Sequence, residues 1–222
     1  MLVAPELLLA AEAVLVREGI AGLTVRAVAA EAGVAPMGVY NRLGDKAGLV
    51  TALLIRGFDR LREAIEEPDE PEARTRLRVC CLRYREFALA NPCLYVILFE
   101  STFSGDRGWA QVQERAAACL GVLARTVELA AMEGALAAPD PREAARQIWS
   151  ALHGAVALEL KGLLPTPDPA ATYRGFLDTI LRGLGLSLAD GGEPDGKPRV
   201  GVLVGHHRDH VQDSFFWIAG RS

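Results

Sequence analysis

Tyr40, Asn41 and Arg42 stand in a row, preceded by Ala35, Pro36, Met37 and Gly38 and followed closely by Lys46. Asparagine and arginine carry the donor and acceptor pairs that match adenine and guanine edges, while lysine, arginine and tyrosine hold phosphate oxygens. Ala35 to Gly38 offer apolar contact for thymine methyls and close backbone approach, with almost no hydrogen-bonding code of their own. Upstream, Thr24 and Arg26 are of the types that touch a phosphate backbone. Taken singly, Tyr40 also reads as half-buried packing and Arg42 as a solvated surface charge.

A second set is aromatic and lies further along: Tyr84, Phe87, Tyr95, Phe99, Phe103, Trp109, Trp149 and His153. Together they suit a mostly apolar pocket with a few polar handles for a small molecule; each taken alone reads first as core. A third set, His206, His207 and His210 with Asp209, has the i, i+4 spacing of metal ligands. It lies beyond the linker-like Gly191–Pro198, so a solvated tail is the better reading, and no metal is expected. No nucleophile and base pair, Walker loop, GxGxxG or HExxH is present in the sequence. The expectation is no enzyme and no cofactor.

The 222 residues, 50% apolar and 23% charged, suffice for one or two domains, and 6% aromatics with abundant Ala and Leu favour helices over a β-sandwich or barrel. The four cysteines (Cys80, Cys81, Cys93, Cys119) show neither a disulfide framework nor a zinc spacing. Glu6 and Glu12 interrupt the first apolar run, and no stretch reaches membrane-spanning length, so a cytoplasmic protein without membrane association is expected. The net charge of −4 is unevenly spread. Between Gly22 and Arg62, six basic residues face three acidic ones, so a modestly basic head stands on an acidic body.

These groups need elements to hold them. Pro5 opens a first helix that Glu18-Gly19 should end; Thr24 caps a short second helix stopped by Gly33; Pro36 opens a shorter third one ended by Gly44. Asp45 then caps a fourth, reaching about Ile65. Glu66 to Pro71 reads as a domain boundary. Beyond it, Leu77 to Ala88 forms a helix broken by Asn91-Pro92, a short apolar segment covers Tyr95 to Phe103, and further helices run from Trp109 to Met132, after Pro141, and around Tyr173 to Leu184. The result is an all-α chain. Residues 1–65 form a three-helix helix-turn-helix head joined through a linking helix to an antiparallel bundle at 72–186, with a flexible tail at 187–222. Arg199 to Gly205 is a candidate small strand within that tail.

Two short helices around a glycine turn form a helix-turn-helix, whose second helix enters the major groove. The run Leu23 to Lys46 resembles the DNA-binding signature of the tetracycline-repressor (TetR) family. Tyr84-Arg85-Glu86-Phe87-Ala88 and Trp149-Ser150-Ala151-Leu152-His153-Gly154 resemble its subgroup with a Trp-xxx-His-Gly ligand domain. Ala29, Val34 and Val39 are then packing residues between the two short helices, and Lys46 matches the family's phosphate-binding lysine. Two departures bear on the contact set: Leu43-Gly44 replaces the usual second aromatic with its following residue, and no basic arm precedes the first helix.

The resemblance implies a homodimer that binds a palindromic double-stranded DNA operator and answers to a small-molecule, largely apolar effector, with repression as the ordinary sign. It implies a dimer built from the last two helices, for which Trp149, Leu152, Val156, Tyr173, Phe176, Leu177, Ile180 and Leu181 are the candidate interface. A helical enzyme or carrier with an accessory N-terminal bundle is the alternative. A regulator with a degenerate head working through a protein partner is a third reading.

Overall fold

The structure is a computed structural model and describes residues 4–66, 70–99 and 108–185. Described residues form helices only, in the order α1 (Ala4–Gly22), α2 (Val25–Glu31), α3 (Pro36–Leu43), α4 (Lys46–Ile65), α5 (Ala73–Ala90), α6 (Pro92–Phe99), α7 (Trp109–Met132), α8 (Pro141–Leu160) and α9 (Pro169–Gly183). Local chemistry sets most of the ends. Thr24 Oγ1 accepts from the Ala27 N–H at 3.1 Å, and an Asp45 carboxylate oxygen accepts from the Gly48 N–H at 3.0 Å. Asp140 and Asp168 cap α8 and α9 in the same way, each ahead of a proline in the first turn.

Two elements differ from the sequence expectation. α3, expected to be shorter than α2, has 8 residues against 7, whereas α1 leaves helical geometry at Gly19, with φ at 67°, where the sequence ends it, and only a short further turn runs on to Gly22. The apolar segment expected from Tyr95 is instead a helix beginning at Pro92, directly after the Asn91 cap of α5. Its sequence, PCLYVILF, has no polar face to give a helical period. Phe103, the candidate strand 199–205, and the histidines of the tail lie outside the described residues.

Head and body form one compact unit. Leu7, Ala11 and Val14 of α1 pack with Leu23, Val28, Ala29, Val39, Leu49 and Leu53 to close the head, all of them buried. Val34 is only half-buried. α4 then leaves the head and carries Phe58, Leu61 and Ile65 into the core of the bundle, packing along α5, α6 and α7. At Gly57 the approach of α6 is so close that an added Cβ would lie 2.9 Å from Leu98 and 3.1 Å from Leu94.

Candidate DNA-binding head and ligand cavity

α3 buries one residue, Val39, against the head. Ala35, Pro36, Met37, Tyr40, Asn41 and Arg42 are exposed, and Gly38 is half-buried. Tyr40 is 56% and Met37 64% exposed, so neither serves as packing within the subunit. The turn before α3 rests on Gly33, at φ 65°, with the Val34 N–H bonded to the Ala29 carbonyl at 3.0 Å. Thr24 and Arg26 are exposed at the start of α2.

Two basic side chains of this surface rest on carbonyls. Arg42 Nη1 donates to Gly38 O at 2.9 Å, and Lys46 Nζ donates to Ala21 O at 3.3 Å, at the end of α1. Both groups are exposed, so exchanging a carbonyl for a phosphate oxygen costs little. Arg17 pairs with Glu31 at 2.8 Å, linking α1 to α2, and the carboxylates of Glu31 and Glu18 hold its guanidinium above the usual range.

The body holds a cavity of about 30 Å³, enclosed by α4, α5, α7 and α8, with α6 contributing Phe99. That is room for roughly two waters. Of the aromatic residues expected to bind an effector, Tyr84, Phe99 and Trp149 line it. Tyr95 and His153 stand behind them: Tyr95 Oη is 2.7 Å from His153 Nδ1, and Tyr84 Oη is 3.1 Å from Tyr95 Oη and 3.3 Å from the same nitrogen. Phe87 is buried and Trp109 half-buried, neither of them on this wall. Sequence reasoning missed the rest of the lining: Phe58, Leu61 and Ile65 from α4, Cys80 and Cys81 from α5, Ala116, Cys119, Leu120 and Leu123 from α7, and Leu152 from α8. The one available signal was the apolar stripe of α4, which runs beyond what the head needs.

Burial sets the ionisation of this wall. It pushes the Tyr84 phenol up to about 12, and the Cys80 and Cys119 thiols likewise to about 12, with Cys81 also raised. All are neutral at physiological pH. Cys119 Sγ donates to Phe58 O at 3.2 Å.

The expected dimer face needs correction. Leu152, Val156, Tyr173, Leu177 and Leu181 are at most 3% exposed within their own subunit. They point into the bundle, and Tyr173 Oη donates to Cys81 O at 3.0 Å, hooking α9 to α5. Their side chains are thus not available to a partner. Of the expected set only Trp149, Phe176 and Ile180 keep partial exposure, and Trp149 faces the cavity. The outward groove between α8 and α9, about 440 Å³, is instead floored by Ala151, Gly154, Ala155 and Leu158 with Phe176.

Two family models match in order along the chain: bacterial regulatory proteins of the tetR family over residues 7–53, and the tetracyclin repressor-like C-terminal domain over residues 77–180. The chain belongs to the TetR family of transcriptional regulators. An uncharacterized HTH-type transcriptional regulator of Mycobacterium tuberculosis is 28% identical over 177 residues, 79% of this chain and 78% of that one. A protein of unknown function from Rhodococcus sp. RHA1 is 29% identical at TM-score 0.72, over 81% of this chain and 94% of its own. The Bacillus subtilis transcriptional regulator FadR, solved in complex with stearoyl-CoA, shares the fold at TM-score 0.65 and 18% identity, over 81% of this chain and 98% of its own. No helix among the described residues of this TetR-family regulator is long and apolar enough to cross a membrane.

Proposed function

We propose that this TetR-family regulator is a cytoplasmic homodimeric repressor, released from a palindromic operator when a small, largely apolar molecule enters the cavity of the body. The observation that carries this reading is the path of α4. One helix starts at the DNA-side turn with Asp45 and Lys46 and ends with Phe58, Leu61 and Ile65 on the cavity wall. A ligand that shifts the wall therefore shifts the base of α3, and two heads that must fit successive major grooves together tolerate little change of spacing.

In this reading residues 1–65 are the DNA-binding head, 72–186 the effector and dimerisation body, and 187–222 a tail. Ala35 to Gly38, Tyr40, Asn41 and Arg42 meet the major groove and its edges, while Thr24, Arg26 and Lys46 hold phosphate. Trp149, His153 and Gly154 are read as the signature of the Trp-xxx-His-Gly subgroup. The partner subunit covers the α8–α9 groove, whose small residues let two helices approach closely.

The test is fluorescence anisotropy on DNA flanking the protein's own coding region, from about 50 to 200 mM salt, with a random duplex as control. Selective, salt-dependent binding by two protomers per site is expected. Binding equal to the random duplex throughout refutes the operator reading.

A further inference from the structure

Every side chain on the cavity wall is uncharged: the lining is aliphatic, aromatic or thiol, with no carboxylate, guanidinium or ammonium among the described residues. The thiols stay protonated because burial disfavours the thiolate, so they act as soft apolar surface. The neighbouring charges are engaged elsewhere. Of the charges that act on the wall thiols, Arg62 pairs with Glu66 at 3.0 Å, Asp59 with Arg115 at 3.6 Å and Arg78 with Asp178, while Arg83 donates to Glu66 O at 3.2 Å.

One phenol joins this apolar wall to a polar cluster. Tyr84 lines the cavity, and its hydroxyl is held by Tyr95 and His153, whose rings stack with centroids 5.6 Å apart. Tyr95 is fully buried and does not reach the wall, so Tyr84 is where this cluster meets a guest. Building on the regulator reading above, we propose that the effector is a neutral, largely apolar molecule carrying one hydrogen-bonding group, received by Tyr84, with Tyr95 and His153 as positioning residues. A charged guest would leave water without meeting an opposite charge, which costs several times what a neutral contact returns. The aromatic faces of Phe58, Phe99 and Trp149 attract cations, yet among the described residues no carboxylate lines the wall to complete such a site.

The resting cavity of about 30 Å³ is smaller than any ring-sized guest, so a guest must part the wall as it enters; the full-length protein is titrated calorimetrically with four probes sharing one ring skeleton: naphthol, methylnaphthalene, naphthoate and naphthyltrimethylammonium. Naphthol binds best, about tenfold or more tighter than either ion. Tyr84→Phe weakens naphthol by about fivefold and leaves methylnaphthalene unchanged. Cys119→Phe, which fills the cavity, removes binding of both; Leu120→Trp serves if that variant does not fold. The proposal is overturned if either ion matches naphthol, if Tyr84→Phe weakens both neutral probes equally, if binding survives the filled cavity, or if no neutral probe binds. The ligand-free protein is assayed on operator DNA in parallel. Selective DNA binding with failed probe chemistry sinks only this assignment, whereas the intended probe pattern without DNA selectivity sinks the regulator reading.

Discussion

The head and the body manage charge in opposite ways. On the head, Arg42 and Lys46 lie in water and rest on backbone carbonyls that they exchange easily. In the body the described residues of the cavity wall carry no charge, and arginines are locked into pairs between helices: Arg85 with Glu159 joins α5 to α8, and Arg78 with Asp178 joins α5 to α9. A surface that must meet a polyanion keeps its cations free to turn, while a chamber for a neutral guest keeps ions on its outer struts. Between the two regions stands Glu12, whose carboxylate takes Arg56 at 2.5 Å and Arg60 at 3.0 Å, with Arg60 also donating to Asn91 at 2.8 Å. That chain ties α1 and α4 of the head to the α5–α6 corner.

The contrast breaks most completely if the head loses its core. Val39→Asp places a carboxylate at a fully buried position of α3, costing on the order of 3–5 kcal/mol. Operator binding should vanish in anisotropy and the thermal melt should shift down. Next comes the tie between the regions. Glu12→Ala leaves two part-exposed arginines without their carboxylate, and urea unfolding should show a loss of about 1 kcal/mol. Lys46→Ala tests the claim of exchangeable phosphate contact: affinity should fall by a similar factor on operator and random DNA, with the salt slope reduced by about one.

Smaller and slower effects probe the body. Cys80 and Cys119 titrate near 12 in the folded chain against an ordinary 9.0, so the unfolded state releases their protons first. Stability should therefore hold below pH 9 and fall as pH rises from there toward about 12, which denaturant melts at stepped alkaline pH measure. At pH 8 a thiol reagent should label half-buried Cys93 well before Cys80, Cys81 or Cys119, with a neutral cavity guest slowing those three further.

Much of the head was readable because its signals are local. Thr24, Gly33, Pro36, Gly44 and Asp45 each mark an end by their own chemistry, and the exposed face of α3 follows from the single inward Val39. The body was readable as helices but not as a site. Its wall gathers side chains from α4, α5, α6, α7 and α8, and no spacing along the chain signals that convergence. The stripe of Leu152 and Val156 with Leu177 and Leu181 was assigned to a partner because apolar periodicity states that a face is covered, never by whom. The helix at Pro92 escaped notice for a related reason: α1, α4 and α5 surround it, leaving most of its positions apolar.

The 20 residues of α4 make a rod of about 30 Å, at roughly 1.5 Å per residue, pressed by α6 at Gly57. Gly57 lies closer to the cavity end than to Lys46, so the rod is a lever with a short arm inside and a long arm toward DNA. A tilt of about 5° about that point carries the far end by about 1.5 Å, more than the near end moves. The bare Cα at Gly57 keeps the fulcrum close, and replacing it with a bulky side chain would lift α6 off the rod and uncouple the two arms.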